Sequence, residues 1–233
     1  MIGWHPLRNV LKPLIWPLAS QRFHLCPVCG YNGPFSMVRN RPHARCLRCG
    51  SLERHRFLFY ILQRELKTRH WVRPALLVAP EPALHALLQE IFSLVVTSDL
   101  QASGVTVHAD LQRLPFHAGA FDLLVAVHVL DEVEDDRCAL AECWRVLAPG
   151  GLLVVPVPII SGSATMELET RRTDGKVRLS GLDYETRIKD AGFRLLKHHM
   201  ALDSPEACAR HQFMIYCYGS EQVAEEFSIF VKD

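Results

Sequence analysis

Four of the eight cysteines, Cys26, Cys29, Cys46 and Cys49, follow the pattern C-x2-C-x16-C-x2-C in the runs "CPVCG" and "CLRCG". A two-residue gap closed by glycine bends each pair into a knuckle that aims two sulfurs at one tetrahedral ion. Four protein ligands leave no position for water or substrate, so the expected ion is a structural Zn2+. An iron site with the same ligands and a redox dithiol are the alternatives. Cys138, Cys143, Cys208 and Cys217 lack such spacing and read as small buried hydrophobes.

A second set of candidate groups is acidic. Glu81 follows the apolar run "ALLVA", Asp99 ends "SLVVTSDL" eighteen residues later, and Asp110 ends "VTVHAD". A carboxylate at a strand end can accept the two hydroxyls of a ribose. The first of these loops, "VAPEPAL", has no Gly-x-Gly and would cradle a pyrophosphate poorly. A nucleoside ligand without phosphates is therefore expected there, rather than NAD or FAD.

These groups need a frame, and from Ala75 the sequence supplies one. "ALLVA", "SLVVTSDL", "VTVHAD" and "AFDLLVAVHVL" read as strands, with a helix in "PEPALHALLQEIF" and another from about Asp135 to Leu147. "APGGLLVVPVP" turns into a fifth strand, "DYETRIKDAGF" is a helix ending at Gly192, and "RLLKHH" and "QFMIYCYG" supply two late strands. The alternation predicts an α/β fold, a doubly wound, Rossmann-like sheet of seven strands behind a small N-terminal zinc ribbon. Ligands bind such sheets at the carboxyl ends of the strands.

Ser51 is placed to N-cap a helix whose apolar positions are Leu52, Phe57, Leu58, Ile61, Leu62 and Leu66, with Arg54, His55 and Arg56 on more than one face. The expected divisions are an amphipathic segment over 1–22, zinc ribbon and basic helix over 23–73, the sheet domain over 74–220 and a tail over 221–233. In the first segment Leu7, Val10, Leu11, Leu14, Ile15 and Leu18 share helical spacing, with Trp4 and Trp16 beside them and Pro13 and Pro17 interrupting. Docking on the protein's own apolar surface is favoured over peripheral contact with a membrane.

The chain of 233 residues is 49% apolar and 22% charged, as for an ordinary soluble globule. No apolar run reaches the roughly 18 residues of a membrane span, and Arg8, Lys12 and three prolines argue against a cleaved leader. Paired, metal-like cysteines favour a reducing cytoplasm. The net charge of +1 conceals a division: 13 lysines and arginines against two acids up to Arg73, and 13 against 23 from Pro74 onward. The halves are expected either to meet different partners or to dock on each other.

The stretches "VAPEPAL", "SDL" and "ADLQRLPFHAGAFDLLVAVHVLDEVEDDRCALAECWRVLAPGGLLVVPVP" resemble a class I S-adenosylmethionine-dependent methyltransferase of the type 11 group. The knuckles followed by "CGSLERHR" and "APEP" resemble a narrower bacterial family of zinc-ribbon methyltransferases, over roughly residues 24 to 200. The resemblance implies S-adenosyl-L-methionine across the strand ends. Ala79, Pro80 and Glu81 would surround its amino acid moiety, and Asp99 the ribose hydroxyls, with Leu100 on the adenine. Asp110 would meet the adenine amine beside Leu111, and His128 would lie near the sulfonium. The sequence departs from the narrow family in "VHVLDEVEDD" against a usual "NHVLEHVPDD", and in "GKVRLSGLDY", where Lys176 replaces a usual His. Those departures fall on the acceptor side.

His128 is then the first candidate base, with Asp131 and Glu132 next. Arg178 and Tyr184 are candidates for the acceptor pocket, because the long segment after the fifth strand has the length of a lid; Arg54 and His55 are further substrate candidates. A small-molecule acceptor is favoured. RNA bound through the basic N-terminal module is one alternative, and a non-catalytic S-adenosylmethionine-binding module is the other.

Overall fold

The structure is a computed structural model describing residues 23–38, 41–160, 162–218, 221–224 and 226–233. The amphipathic segment expected over 1–22 lies outside the described residues. In chain order the elements are β1 (His24–Leu25), β2 (Asn32–Gly33), β3 (Phe35–Val38), β4 (Arg41–Cys46), α1 (Glu53–Leu66), β5 (Ala75–Val78), α2 (Pro82–Ile91), β6 (Val95–Asp99), β7 (Val107–His108) and β8 (Phe121–Ala126). There follow α3 (Asp136–Val146), β9 (Leu147–Val154), β10 (Met166–Glu167), β11 (Arg178–Leu179), α4 (Tyr184–Asp190), β12 (Phe193–Met200), α5 (Pro205–His211), β13 (Met214–Tyr218), β14 (Glu221–Ala224) and β15 (Glu226–Lys232).

The chain divides into two compact units. Of the described residues, 23–57 and 204–224 form one, and 58–203 with 226–233 form the other. This differs from the expected boundaries at 73 and 220. Helix α1 runs through the first break, and residues 204–224, read as part of the sheet domain, complete the cysteine unit.

The larger unit is a seven-stranded sheet in the order β12-β15-β9-β8-β5-β6-β7. Strands β9, β8, β5, β6 and β7 are parallel, and β15 is antiparallel to both β9 and β12. All four residues of β5 and all six of β8 are buried, as parallel strands covered on both faces require. Two helix starts behave as their sequences predict. Pro82 occupies the first turn of α2, and the Asp135 side chain caps α3 by accepting from the Cys138 amide at 2.9 Å.

The seventh strand is a correction. "QFMIYCYG" was expected to join the sheet; instead β13 pairs with β14, and the residues read as a tail supply β15. Lys232 at its end is buried. Its Nζ donates to the carbonyls of Trp144 at 2.7 Å and Leu147 at 2.8 Å, closing the open end of α3. Burial lowers the pKa of that ammonium. No helix among the described residues is long and apolar enough to cross a membrane.

The smaller unit pairs β1 with β2 and β3 with β4, each antiparallel. Its apolar cluster is small: Cys26, Phe35 and Cys46, with Val28, Cys29 and Tyr31 packed against them. Ala44, Phe57, Ala207, Cys208 and Phe213 are buried as well, and so are the polar side chains of His24, Arg41, Glu53, Arg56 and His211.

Candidate functional site

The strand register brings the candidate residues of the sheet unit into line. Val78 pairs with Ser98 on one side and with Ala126 on the other, and Asp99 pairs with His108. Ala79, Asp99 and His128 therefore follow the carboxyl ends of three adjacent strands, with Asp110 just beyond the fourth. Ala79 and His128 share a further property: both are non-glycine residues at positive φ, 48° and 55°. Such backbone costs about 1–3 kcal/mol per residue and concentrates at functional turns. Each is fixed by a backbone bond, Ala79 to the Ser98 carbonyl at 2.8 Å and His128 to the Pro156 carbonyl at 3.0 Å.

The side chains fit a nucleoside in part. Asp99 Oδ1 accepts from the amides of Gln101 at 2.8 Å and Ala102 at 2.7 Å, closing the turn after β6. Among the described residues its Oδ2 makes no such bond, so one carboxylate oxygen makes the turn and the other is left for a ligand. Leu100 beside it is 62% exposed, an apolar side chain lacking a cover. Asp110 is more fully used, since both oxygens accept from the Gln112 amide nitrogen at 3.0–3.1 Å. Leu111 is packed in the core, not at the surface where adenine was expected. Glu81 sits at the N-cap of α2 and Pro80 precedes it, both half-buried.

The acceptor side differs more from expectation. Asp131 is buried and ion-paired with Lys176 at 2.6 Å. Two of the departures from the narrow family's pattern thus face each other, Asp131 against Lys176. Desolvation, and then the Asp131 carboxylate, push the Glu132 carboxyl above its ordinary value. Arg178 is 1% exposed. It donates to the carbonyls of Leu130, Val133 at 2.8 Å and Glu134 at 2.9 Å, pinning β11 to the loop that follows His128. Tyr184 is buried in the core; desolvation, with the Asp136 carboxylate second, raises its pKa.

The segment after β9 is held as a fixed wall. A Cβ on Gly181 would collide with the backbone of Ser163 and Ala164, so the two arms of the segment touch there main chain to main chain. Gly175, at φ +91, brings its Cα against the Glu132 carboxylate, which a Cβ would meet at 3.3 Å.

In the cysteine unit the four sulfurs lie within 4.8 Å of one another, Cys26 and Cys49 at 3.6 Å and Cys29 and Cys46 at 3.7 Å. The edge of a tetrahedron with metal–sulfur bonds of about 2.3 Å is about 3.8 Å. The thiols therefore fit such an ion. Each knuckle closes through two backbone bonds: the amides of Gly30 and Gly50 donate to the carbonyls of Cys26 and Cys46, both at 2.9 Å, and the amides of Cys26 and Cys46 donate to the carbonyls of Tyr31 at 2.8 Å and Ser51 at 3.0 Å. The Ser51 hydroxyl, expected to cap α1, instead lies 3.3 Å from Cys26 Sγ and 3.2 Å from Cys49 Sγ.

Arg54 and His55 are half-buried at the start of α1, His55 Nδ1 accepting from the Leu52 amide at 3.4 Å. Their neighbour Arg56, which the sequence marked only as one charge in a run, is fully buried. Cys138 is exposed, contrary to expectation, while Cys143 and Cys208 are buried as expected; the Cys217 side chain lies outside the described residues.

Comparison with known proteins adds the following. Residues 86–155, from α2 to just past β9, match the family model Methyltransf_11, described as a methyltransferase domain. That stretch contains Asp99, Asp110, His128, Asp131 and Glu132. No curated protein sequence matches the chain. Among solved structures, the [4+2]-cyclase SpnF is similar over 97% of this chain and 95% of its own, at 18% identity and a TM-score of 0.57. The MccD protein is similar over 77% of this chain and 97% of its own, at 12% identity and a TM-score of 0.52. These likenesses describe the fold, and one of the two carries the name of a cyclase, so the fold alone does not name the reaction. Residues 86–155 are thus similar to the Methyltransf_11 methyltransferase domain, and they lie in a seven-stranded sheet of the Rossmann-like methyltransferase fold.

Proposed function

We propose that the protein is an S-adenosylmethionine-dependent methyltransferase acting on a small molecule, with a structural zinc in the cysteine unit. The observation that carries the reading is the half-satisfied Asp99 carboxylate beside exposed Leu100. Both lie at the strand ends of the stretch that matches the methyltransferase domain. The glycine-free first loop suits a cofactor without phosphates. When bound, S-adenosylmethionine supplies a methyl group made electrophilic by its sulfonium. Asp99 receives the ribose hydroxyls through the oxygen that the turn leaves open, Leu100 covers the adenine, Asp110 takes its amine, and Ala79, Pro80 and Glu81 border the amino acid moiety. The chain's remaining work is to align a nucleophile, which contributes several kcal/mol by itself. His128, held in a fixed turn after β8, accepts a proton where the acceptor must lose one. Glu132 is the second candidate; Asp131 is spent on Lys176.

A small acceptor is preferred because Arg41 and Arg56, two of the cations that make the N-terminal stretch basic, are consumed inside it. RNA is the second reading, favoured by exposed Arg45 and Arg48 on and beside the second knuckle. Retention of total RNA on a filter by the protein would select it.

Titration calorimetry tests the cofactor site. Asp99→Ala removes two charge-assisted hydrogen bonds, each contributing roughly 1.5–3 kcal/mol. Water enters the vacated space, so the expected loss is about 2–4 kcal/mol, or about 30- to 1000-fold in S-adenosylmethionine affinity. Affinity within threefold of the parent in a folded variant would remove the pocket from Asp99.

A further inference from the structure

Ser51 stands between the cysteines and the rest of their unit. Its hydroxyl contacts two of the sulfurs, and its carbonyl accepts from the Cys46 amide at 3.0 Å and from Arg56 Nη1 at 2.6 Å. Arg56 passes the connection on. Its Nη1 also donates to the Ala44 carbonyl at 3.0 Å, its Nε to the His211 carbonyl at 3.0 Å, and its Nη2 to the Gln212 carbonyl at 2.6 Å. The same guanidinium lies 4.5 Å above the ring of Phe35, which packs on Cys26 and Cys46. His211 and Gln212 are 155 and 156 residues from Arg56 in sequence.

A second route closes the circuit. His211 Nδ1 donates to the carbonyl of Leu25, the residue before the first cysteine, at 2.6 Å. In return His24 Nδ1 donates to the Ala209 carbonyl, in α5, at 3.1 Å. Gln212 ends α5 in the left-handed conformation, φ 51°, and so turns its carbonyl toward the guanidinium.

We infer that metal loading at the four cysteines and docking of residues 204–213 are one cooperative event, with α5 part of the shell that supports the metal site. The inference rests on the four-thiolate reading of the cysteines. A thiolate accepts a stronger hydrogen bond from Ser51 than a thiol does. That bond fixes the Ser51 carbonyl, which fixes Arg56, which holds the two carbonyls at the end of α5. Ser51, Arg56, Ala44 and His211 at the centre of the circuit are buried, and a partner that lets go of them leaves an unsatisfied polar group inside the unit. Partial release is therefore costly, and the two events move together.

The test uses the full-length protein and needs no substrate. Zinc content is measured first, then amide hydrogen exchange with and without excess EDTA. Chelation is expected to raise exchange across residues 205–213 together with the knuckles 26–30 and 46–50, leaving β5 and β8 protected. His211→Ala touches no cysteine, yet it is expected to speed zinc release to EDTA by about 10- to 100-fold, the range for losing a supporting bond at a metal site. Ser51→Ala, which keeps the carbonyl, is expected to do the same and serves if His211→Ala does not fold. A zinc-loaded parent in which 205–213 stay protected after chelation, or folded variants releasing zinc at the parental rate, would overturn the inference alone. A parent without bound metal would overturn the four-thiolate reading and the inference with it.

Discussion

In the sheet unit the core is a large hydrocarbon cluster from Leu76 through Leu124, Leu140 and Leu153 to Phe230, with buried charges such as Asp131, Arg178 and Lys232 beside it. In the cysteine unit Cys26, Phe35 and Cys46 form one small apolar cluster, Ala44, Phe57, Ala207, Cys208 and Phe213 are also buried, and His24, Arg41, Glu53, Arg56 and His211 are buried with them. Hydrocarbon packing is non-directional and tolerates replacements of similar volume. Buried hydrogen bonds are directional, and each loss exposes a stranded partner. A module too small to fold by burial alone needs another source of stability, and here a four-cysteine cluster and a buried guanidinium supply it. The two units should therefore answer the same perturbation differently.

The largest contrast comes from putting one residue into both interiors. Arg56→Met removes the side-chain donor to the carbonyls of Ala44, Ser51, His211 and Gln212 and one of the cations beside buried Glu53, which keeps Arg41 at 3.2 Å. It should cost about 3–5 kcal/mol. Leu124→Met, at the centre of the sheet, should cost less than about 1.5 kcal/mol. Exchange protection resolved for each unit reads both values, and comparable costs would show that the small unit is held by its apolar contacts after all.

Acid should sharpen the same contrast. Burial lowers the pKa of His211 in the cysteine unit and of His199 in the sheet unit. Above about 6.5, the ordinary histidine value, folded and unfolded states are both neutral and stability is full. As pH falls through that value toward the lower folded one, the unfolded chain takes up a proton that the folded chain resists, and stability is lost. Burial of His199 is opposed by Glu65 at 3.7 Å; burial of His211 is opposed by its bond to the Leu25 carbonyl but reinforced by Arg210 and Arg56. Between pH 7 and 5 the cysteine unit should lose more protection than the sheet unit.

The smallest effect is at the cofactor loop. Ala79→Gly relieves a left-handed alanine and adds freedom to the unfolded chain, two opposed contributions of about 1 kcal/mol each. Melting temperature should change little, and a large drop would mean the methyl group packs where the fold needs it.

Much of this architecture was legible because its signals are local. The cysteine spacing, the run "ALLV" and the Pro82 helix start each need only their neighbours to be read. The Asp99 turn also follows from one short segment. What escaped depends on partners far along the chain. "MIYCY" and "EFSIFVK" are both plausible strands, and only the edge offered by β9 decides that the second joins the sheet. Arg56 sits in "ERHR", where nothing distinguishes it from Arg54 until residues 211 and 212 arrive with their carbonyls. The burial of Arg178 escaped for the same reason, since its acceptors at 130–134 lie on another loop.

The place of β15 bears on how the chain is made. It is inserted between β9 and β12, although residues 155–225 are synthesised after β9 and before it. Until it emerges, Leu152, Leu153 and Val154 form an uncovered strand edge, and β12 has no neighbour in the sheet. Open apolar edges recruit other chains. A ribosome stalled between β12 and β15 would thus release a product with most of its sheet and an adhesive border, a clientele for chaperones that the finished protein no longer needs.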